Sequence, residues 1–266
     1  MCRRAIERVP VKTSMHVAAV TLVTALCLSA AAYAASAAET ETPADPQDSD
    51  PIESVNRGIF WFNDQLDIYV LEPVATGYDK ITPQRVQKSI VNFFDNLRFP
   101  IIAGNNLLQG KVKSAASDVA RFGVNTTVGI LGFFDPASNW GLEAHDEDFG
   151  QTLGYWGVPP GPYLVLPFLG PSNPRDASGL AADSVVAVYP WFVALQYTAA
   201  AYTVRSVNAR AQVLKEVAEA KGAAIDYYVF VRNAYLQHRR ALVNDRAQMS
   251  KQEEEELYQV EPDHTP

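Results

Sequence analysis

Apolar residues recur at helical spacing along most of the chain. Val55, Ile59, Phe62 and Leu66 stand at i, i+4, i+7 and i+11, with Asn56, Arg57, Asn63, Asp64 and Asp67 opposite. This pattern predicts an amphipathic helix running to about Val70 and stopping before Pro73. Asp50-Pro51-Ile52-Glu53 opens it with a capping-box arrangement, Asp at the N-cap and Glu three residues on. Thr82-Pro83 repeats the start signal, and Val86, Ile90, Phe93 and Leu97 follow, up to Pro100. A short apolar run, Ile101 to Leu108, ends at Gly110. From Lys111 to Thr127 the spacing predicts a helix with Val112, Ala115, Ala116, Val119, Phe122 and Thr126 inward. Lys111, Lys113, Asp118 and Arg121 would face outward. Two more helices are expected at Arg205–Lys221 and Ala223–Ala247. Period-two alternation is nearly absent, so the fold class is all-α.

One stretch resists the pattern. Phe149 to Asp176 reads FGQTLGYWGVPPGPYLVLPFLGPSNPRD, with six of the seventeen prolines between Pro159 and Pro174. Its glycines and prolines argue against helix. Tyr155, Trp156, Tyr163, Leu164, Val165, Leu166, Phe168 and Leu169 make it too apolar for a solvated linker. The expectation is an extended, proline-stiffened wall between helices. Ala181 to Val204 is almost uncharged, and Pro190, Gln196 and Thr198 favour a broken pair of buried or membrane-embedded helices over a through-going span.

The ends read differently. Arg3, Arg4, Arg8 and Lys12 precede an apolar run from Val17 to Leu28, then small residues with two A-x-A sites, so residues 1–38 are a secretory signal peptide. Residues 39–49 are a polar, proline-bearing flexible linker, residues 50–248 the helical domain, and 249–266 a disordered acidic tail. Removing the signal takes away four Lys/Arg and one acidic residue, Glu7. It leaves 18 basic and 29 acidic residues, a net charge of −11. That balance disfavours nucleic acid, and any membrane contact must be hydrophobic. Cys2 and Cys27 both leave with the signal. Lipidation at Cys27 would need a lipobox, but Thr24 and Leu26 occupy the positions that want an apolar and a small residue.

No catalytic motif is present: no nucleophile elbow, phosphate loop or H-E-x-x-H. Glu143, His145, Asp146, Glu147 and Asp148 form the one dense ligand-type cluster, without a recognisable metal spacing. It reads as a solvated acidic loop, and Asp64 with Asp67 as a polar helix face. A hydrolase would have to use His145 or His238 as its base. The broken apolar segments at 101–108, 129–134, 155–169 and 181–204 point instead to membrane-lipid handling.

Several motifs occur in one order over Asp50 to Arg246. They are Asp50-Pro51-Ile52-Glu53 with Asn56-Arg57 and Phe62-Asn63; Asn92-Phe93 with Asn96-Leu97; Asn106-Leu107-Leu108-Gln109-Gly110; and Asn125-Thr126-Thr127-Val128-Gly129. The densest are Phe149-Gly150-Gln151-Thr152-Leu153-Gly154 and Gly161-Pro162-Tyr163-Leu164-Val165-Leu166-Pro167-Phe168. Arg175-Asp176, Asp183 and Asp226-Tyr227-Tyr228 follow. In these the chain resembles the MlaA (VacJ) family of Gram-negative outer-membrane proteins.

The resemblance implies a ring-like arrangement of amphipathic helices in the inner leaflet of the outer membrane, around an amphipathic pore. It implies non-enzymatic removal of mislocalised phospholipid from the outer leaflet and transfer to a soluble periplasmic carrier of the MlaC type. A trimeric outer-membrane porin is the expected partner, and no cofactor is implied. The weak lipobox at Cys27 departs from the family pattern. A structural or virulence-associated surface protein without lipid transfer is the other reading. Candidate lipid-path residues are Asn56, Phe62, Tyr155, Trp156, Pro160, Pro162, Tyr163 and Phe168, each of which core packing would also explain.

Overall fold

The computed structural model describes residues 50–187 and 195–244. The expected signal peptide with Cys27, the expected linker, Pro190 and the expected acidic tail lie outside the described residues. The all-α expectation holds, with one two-stranded hairpin as the only sheet among the described residues.

Helix α1 spans Glu53–Leu66 and does not stop before Pro73. It widens into a π-helical stretch, Asp67–Leu71, and continues as α2, Glu72–Ile81. The Glu72 N–H reaches back five residues to the Asp67 carbonyl, so the wider turn takes up the strain that a proline ring places on the preceding turn. Asp50 is no cap either. Its carboxylate accepts from Asn56 Nδ2 at 2.8 Å and from the Tyr228 hydroxyl, and it lies 3.7 Å from Arg232. The opening motif anchors the chain to its far end.

α3 spans Gln84–Leu97, α4 Phe99–Leu108, α5 Val112–Thr127 and the short α6 Pro136–Asn139. The breaker-rich stretch is not all extended. Phe149–Tyr155 forms a helix, α7, because the Asp148 side chain accepts from the Gln151 N–H at 2.7 Å and caps it. Gly150 serves a close approach here, since a Cβ built on Gly179 of the next helix would lie 2.3 Å from the Gly150 nitrogen. Beyond α7 the expectation of extended backbone holds. β1, Leu164–Leu166, pairs antiparallel with β2, Gly170–Ser172, with Val165 opposite Pro171. α8 runs Pro174–Val186, α9 Leu195–Gln212, α10 Leu214–Ala223 and α11 Tyr227–Val243. Of the segment 181–204, the described residues lie at the end of α8 and the start of α9, and no described helix is long and apolar enough to cross a membrane.

Packing runs in a closed cycle. α2 packs on α9, α9 on α3, α3 on α4, α4 on α7, α7 on α11, α11 on β2, and β1 on α1, which is continuous with α2. A small apolar cluster of Tyr163, Val165, Tyr228 and Leu236 closes the seam.

Polarity within the cycle is inverted. Asn56, Gln87, Asn105, Asn106, Gln109, Asp118, Asn125, Glu147, Gln151 and Thr152 are buried. Val55, Phe62 and Val86 belong to the apolar stripes of their helices, Val112 and Val119 to a face predicted to turn inward, and all are exposed. Asp118, predicted outward, is 6% exposed, while Trp61 and Tyr69 are 64% and 74% exposed. Soluble cores run the other way.

Candidate functional site

Two cavities share Arg98, the residue that ends α3. The first, about 300 Å³, is bounded by α3, α4, α5 and the 135–146 segment, with Asp95, Asn96, Asp118, Arg121, Asp135 and His145 among its lining residues. The second, about 360 Å³, lies among α4, the start of α7, β2, α8, α9 and α11. Asp148, Asp176, Asp183, Arg205 and Arg239 line it.

Paired charges brace both. In the first, Arg121 meets Asp135 at 3.0 and 3.2 Å. Burial works against the Asp135 charge, but hydrogen bonds from Ser138 and Asn125, with Arg121, hold its carboxyl below the ordinary range. His145 Nδ1 lies 2.8 Å from Asp118 Oδ1, a contact that raises the imidazole's proton affinity. Asn106 Nδ2 donates to the other Asp118 oxygen at 2.8 Å. Asp95 is pushed up by the surrounding protein, with Arg98 and then Arg205 opposing the rise.

In the second cavity, Arg239 bridges two carboxylates, at 2.6 Å to Asp148 and 2.8 Å to Asp176. Burial opposes both charges, and Arg239 holds both carboxyls low. Asp183 has no such partner. It accepts from the Phe149 N–H at 3.0 Å and from Asn105 at 3.3 Å, and burial pushes its carboxyl up to about 6.

The acidic loop expected in solvent is instead clamped. Glu147 is fully buried, takes Lys111 Nζ at 2.9 Å and accepts from Gln109 at 2.8 Å. Gln109 and Asn105 in turn meet the buried Thr152 hydroxyl. Asp64 and Asp67 both reach Lys221, and Asp67 pairs with Arg210 at 2.7 Å, so that surface is an interhelical bridge.

The eight predicted path residues fall into separate places. Asn56 and Tyr163 come together in the seam. Phe62 and Phe168 meet edge to face at the surface, ring centroids 5.4 Å apart. Tyr155 and Trp156 are exposed at the end of α7, with the Trp156 indole donating to the Leu108 carbonyl at 3.2 Å. Pro160 borders a smaller cavity of about 230 Å³ with Asn173, Arg175 and Arg239, and Pro162 is half-buried beside Tyr163. None lines either of the two cavities that share Arg98. Arg98, Arg205 and Arg239 were not singled out. Asp176 and Asp183 were visible only as parts of a family motif.

This geometry defines a closed cycle of helices with polar, charge-braced cavities and many exposed large apolar side chains. The sequence profile of the family described as "MlaA lipoprotein" matches residues 48–242. The "Intermembrane phospholipid transport system lipoprotein MlaA" of Haemophilus influenzae is 36% identical over 230 residues, covering 85% of this chain and 91% of that one. The Escherichia coli protein of the same description is 35% identical over 200 residues, 74% and 79% of the two chains. An uncharacterized Rickettsia felis protein is 38% identical over 199 residues, 73% and 78%. A solved chain from "Structural basis for maintenance of bacterial outer membrane lipid asymmetry" superposes with a TM-score of 0.66 at 32% identity, over 73% of this chain and 99% of that one. The chain belongs to the MlaA lipoprotein family.

Proposed function

We propose that the protein is a non-enzymatic phospholipid conduit of the outer membrane. It resides on the periplasmic side, in the inner leaflet, and is exported by its N-terminal segment. It takes phospholipid mislocalised in the outer leaflet and passes it to a soluble periplasmic carrier of the MlaC type, beside a trimeric porin. The inverted polarity carries this reading. Large apolar residues such as Trp61, Phe62, Tyr69 and Phe168 face out, while charged cavities lie within. A lipid needs a polar path for its head group and an apolar medium for its tails, and this arrangement offers both. The exposed aromatic pairs Phe62–Phe168 and Tyr155–Trp156 suit a lipid-facing surface, and related proteins are described as lipoproteins of an intermembrane phospholipid transport system. Phospholipid in the wrong leaflet lies higher in free energy, so a passive path suffices.

The test is deletion of the gene with measurement of outer-leaflet phospholipid, followed by complementation. Accumulation on deletion and its reversal are expected. Purified protein should also carry phospholipid and release it to the carrier. Unchanged asymmetry on deletion would favour the surface-protein reading.

A further inference from the structure

The charges lining the second cavity, Asp148, Asp176 and Asp183 against Arg98, Arg205 and Arg239, balance in number but are not all paired. Arg239 spans Asp148 and Asp176, and Arg175 closes on Asp176 at 2.9 Å, so those four side chains neutralise one another. Arg98 turns one guanidinium nitrogen toward Asp146, at 2.9 Å, on the side of the first cavity. Arg205, on α9, is half-buried and makes no hydrogen bond or ion pair among the described residues. It acts only at a distance, on the Asp95 carboxyl, as Arg98 also does. The two guanidiniums thus lie within electrostatic reach of one carboxylate, at the junction of the two cavities. A half-buried cation without a partner costs stability, and a guanidinium is the side chain best shaped to grip a phosphate through paired N–H donors.

Part of that cavity's wall is apolar, with Ile101, Pro171, Leu180, Ala187 and Tyr202 beside the polar Ser172, Ser184 and Tyr235 and the Asp183 carboxyl. At about 360 Å³ it has room for a head group and glycerol but not for two full acyl chains. The geometry points to a phosphodiester-binding subsite. Arg98 and Arg205 hold the phosphate of a phospholipid while Ile101, Leu180, Ala187 and Tyr202 receive the glycerol and the first methylenes. This rests on the lipid-conduit reading and adds to it the group recognised and the residues that recognise it. Arg205 supplies the unpaired charge, and Arg98 joins the subsite to the neighbouring cavity.

Full-length protein in neutral detergent would be titrated with dihexanoyl-phosphatidylglycerol, with dihexanoylglycerol, which lacks the phosphate, and with inorganic phosphate. Wild type should bind the phospholipid about tenfold more tightly than R205Q, a loss of about 1.4 kcal/mol. R205K should keep most of the affinity. Dihexanoylglycerol should bind both forms alike, and inorganic phosphate at least about tenfold more weakly than the phospholipid. Leu180→Gln should weaken phospholipid but not inorganic phosphate. R205Q with wild-type affinity overturns the assignment. So does inorganic phosphate binding as tightly as the phospholipid, which would make this a free-anion site. Arg205 makes no ion pair among the described residues, so R205Q should melt no lower than wild type; a fall shared by R205K would show a structural role and would also overturn the subsite. Complementation separates the two levels. If wild type restores asymmetry and R205Q does so equally well at normal protein level, the subsite fails and the conduit stands. If wild type restores nothing, the conduit itself fails.

Discussion

Asn56 and Tyr163 lie 107 residues apart and are joined by a hydrogen bond of 2.9 Å, from Asn56 Nδ2 to the Tyr163 carbonyl. The same amide accepts from the Val165 N–H at 2.9 Å and donates to Asp50 at 2.8 Å. One buried side chain therefore fastens the hairpin to α1. Asn56→Ala would leave the Val165 N–H of β1 and the Tyr163 carbonyl just before it without this partner, at a cost of about 2–4 kcal/mol. Denaturant unfolding of the two forms measures it, and a change below about 1 kcal/mol would remove the bracket from the account.

Two glycine substitutions should move stability in opposite directions. A Cβ at Gly179 would lie 2.3 Å from the Gly150 nitrogen, backbone against backbone, so Gly179→Ala must push α7 and α8 apart at about 1–3 kcal/mol. Gly58 lies within α1 with nothing within 4 Å of an added Cβ. Gly58→Ala should stabilise by about 0.5–1 kcal/mol through helix propensity. Thermal melts of the pair decide whether close approach explains the first glycine and not the second.

Removing Arg239 should be severe. Arg239→Ala leaves Asp148 and Asp176 without their shared cation, a loss of about 3–5 kcal/mol for a buried pair broken from one side. Asp148 also caps α7, so protease sensitivity should appear first around Phe149–Tyr155. Arg239→Lys should recover only part of the loss, because an ammonium cannot reproduce the fork that spans both carboxylates. Full recovery in Arg239→Lys would argue against a geometric role.

Asp183 gives a pH signature with a definite sign. Its folded carboxyl titrates near 6, above the ordinary 3.8, so between those values the folded state binds more protons than the unfolded one. Its contribution therefore favours folding at acid pH and is lost as pH rises from about 4 to about 6. Asp148, Asp176 and Asp135 are shifted down and work oppositely, losing their stabilisation as pH falls through their folded values below 3.8. Wild type compared with Asp183→Asn isolates the first effect. The variant should gain about 1–3 kcal/mol on wild type across pH 4–6 and hold that margin above it. A difference independent of pH would mean that Asp183 titrates normally.

The helices were legible because a 3.6-residue period survives any orientation. Which way each apolar face points was not. Val55, Val86 and Val119 mark real stripes, but a period reports only that two faces differ, and here the polar one turns inward. Asp118 was consequently placed on the wrong side. Helix α7 was hidden because Gly150 and Gly154 read as breakers; what they permit is contact with α8 and α11, which only the assembled chain contains. Asp50 looked like a cap because its true partner, Tyr228, is 178 residues away. Arg98 and Arg205 carry no local signal. They matter because distant segments converge on one cavity.

That long-range closure also dictates how the molecule comes together. Asp50 receives the Tyr228 hydroxyl, and Arg57 pairs with Asp226 at 2.7 Å across 169 residues. The loop that these contacts shut spans nearly the whole described chain, and its entropy must be lost before the contacts repay it. The α5–α6 and α7–α8 pairs are local and can form early. The seam between α1, the hairpin and α11 forms last, so the charged interior has walls only after the final helix has been made and docked.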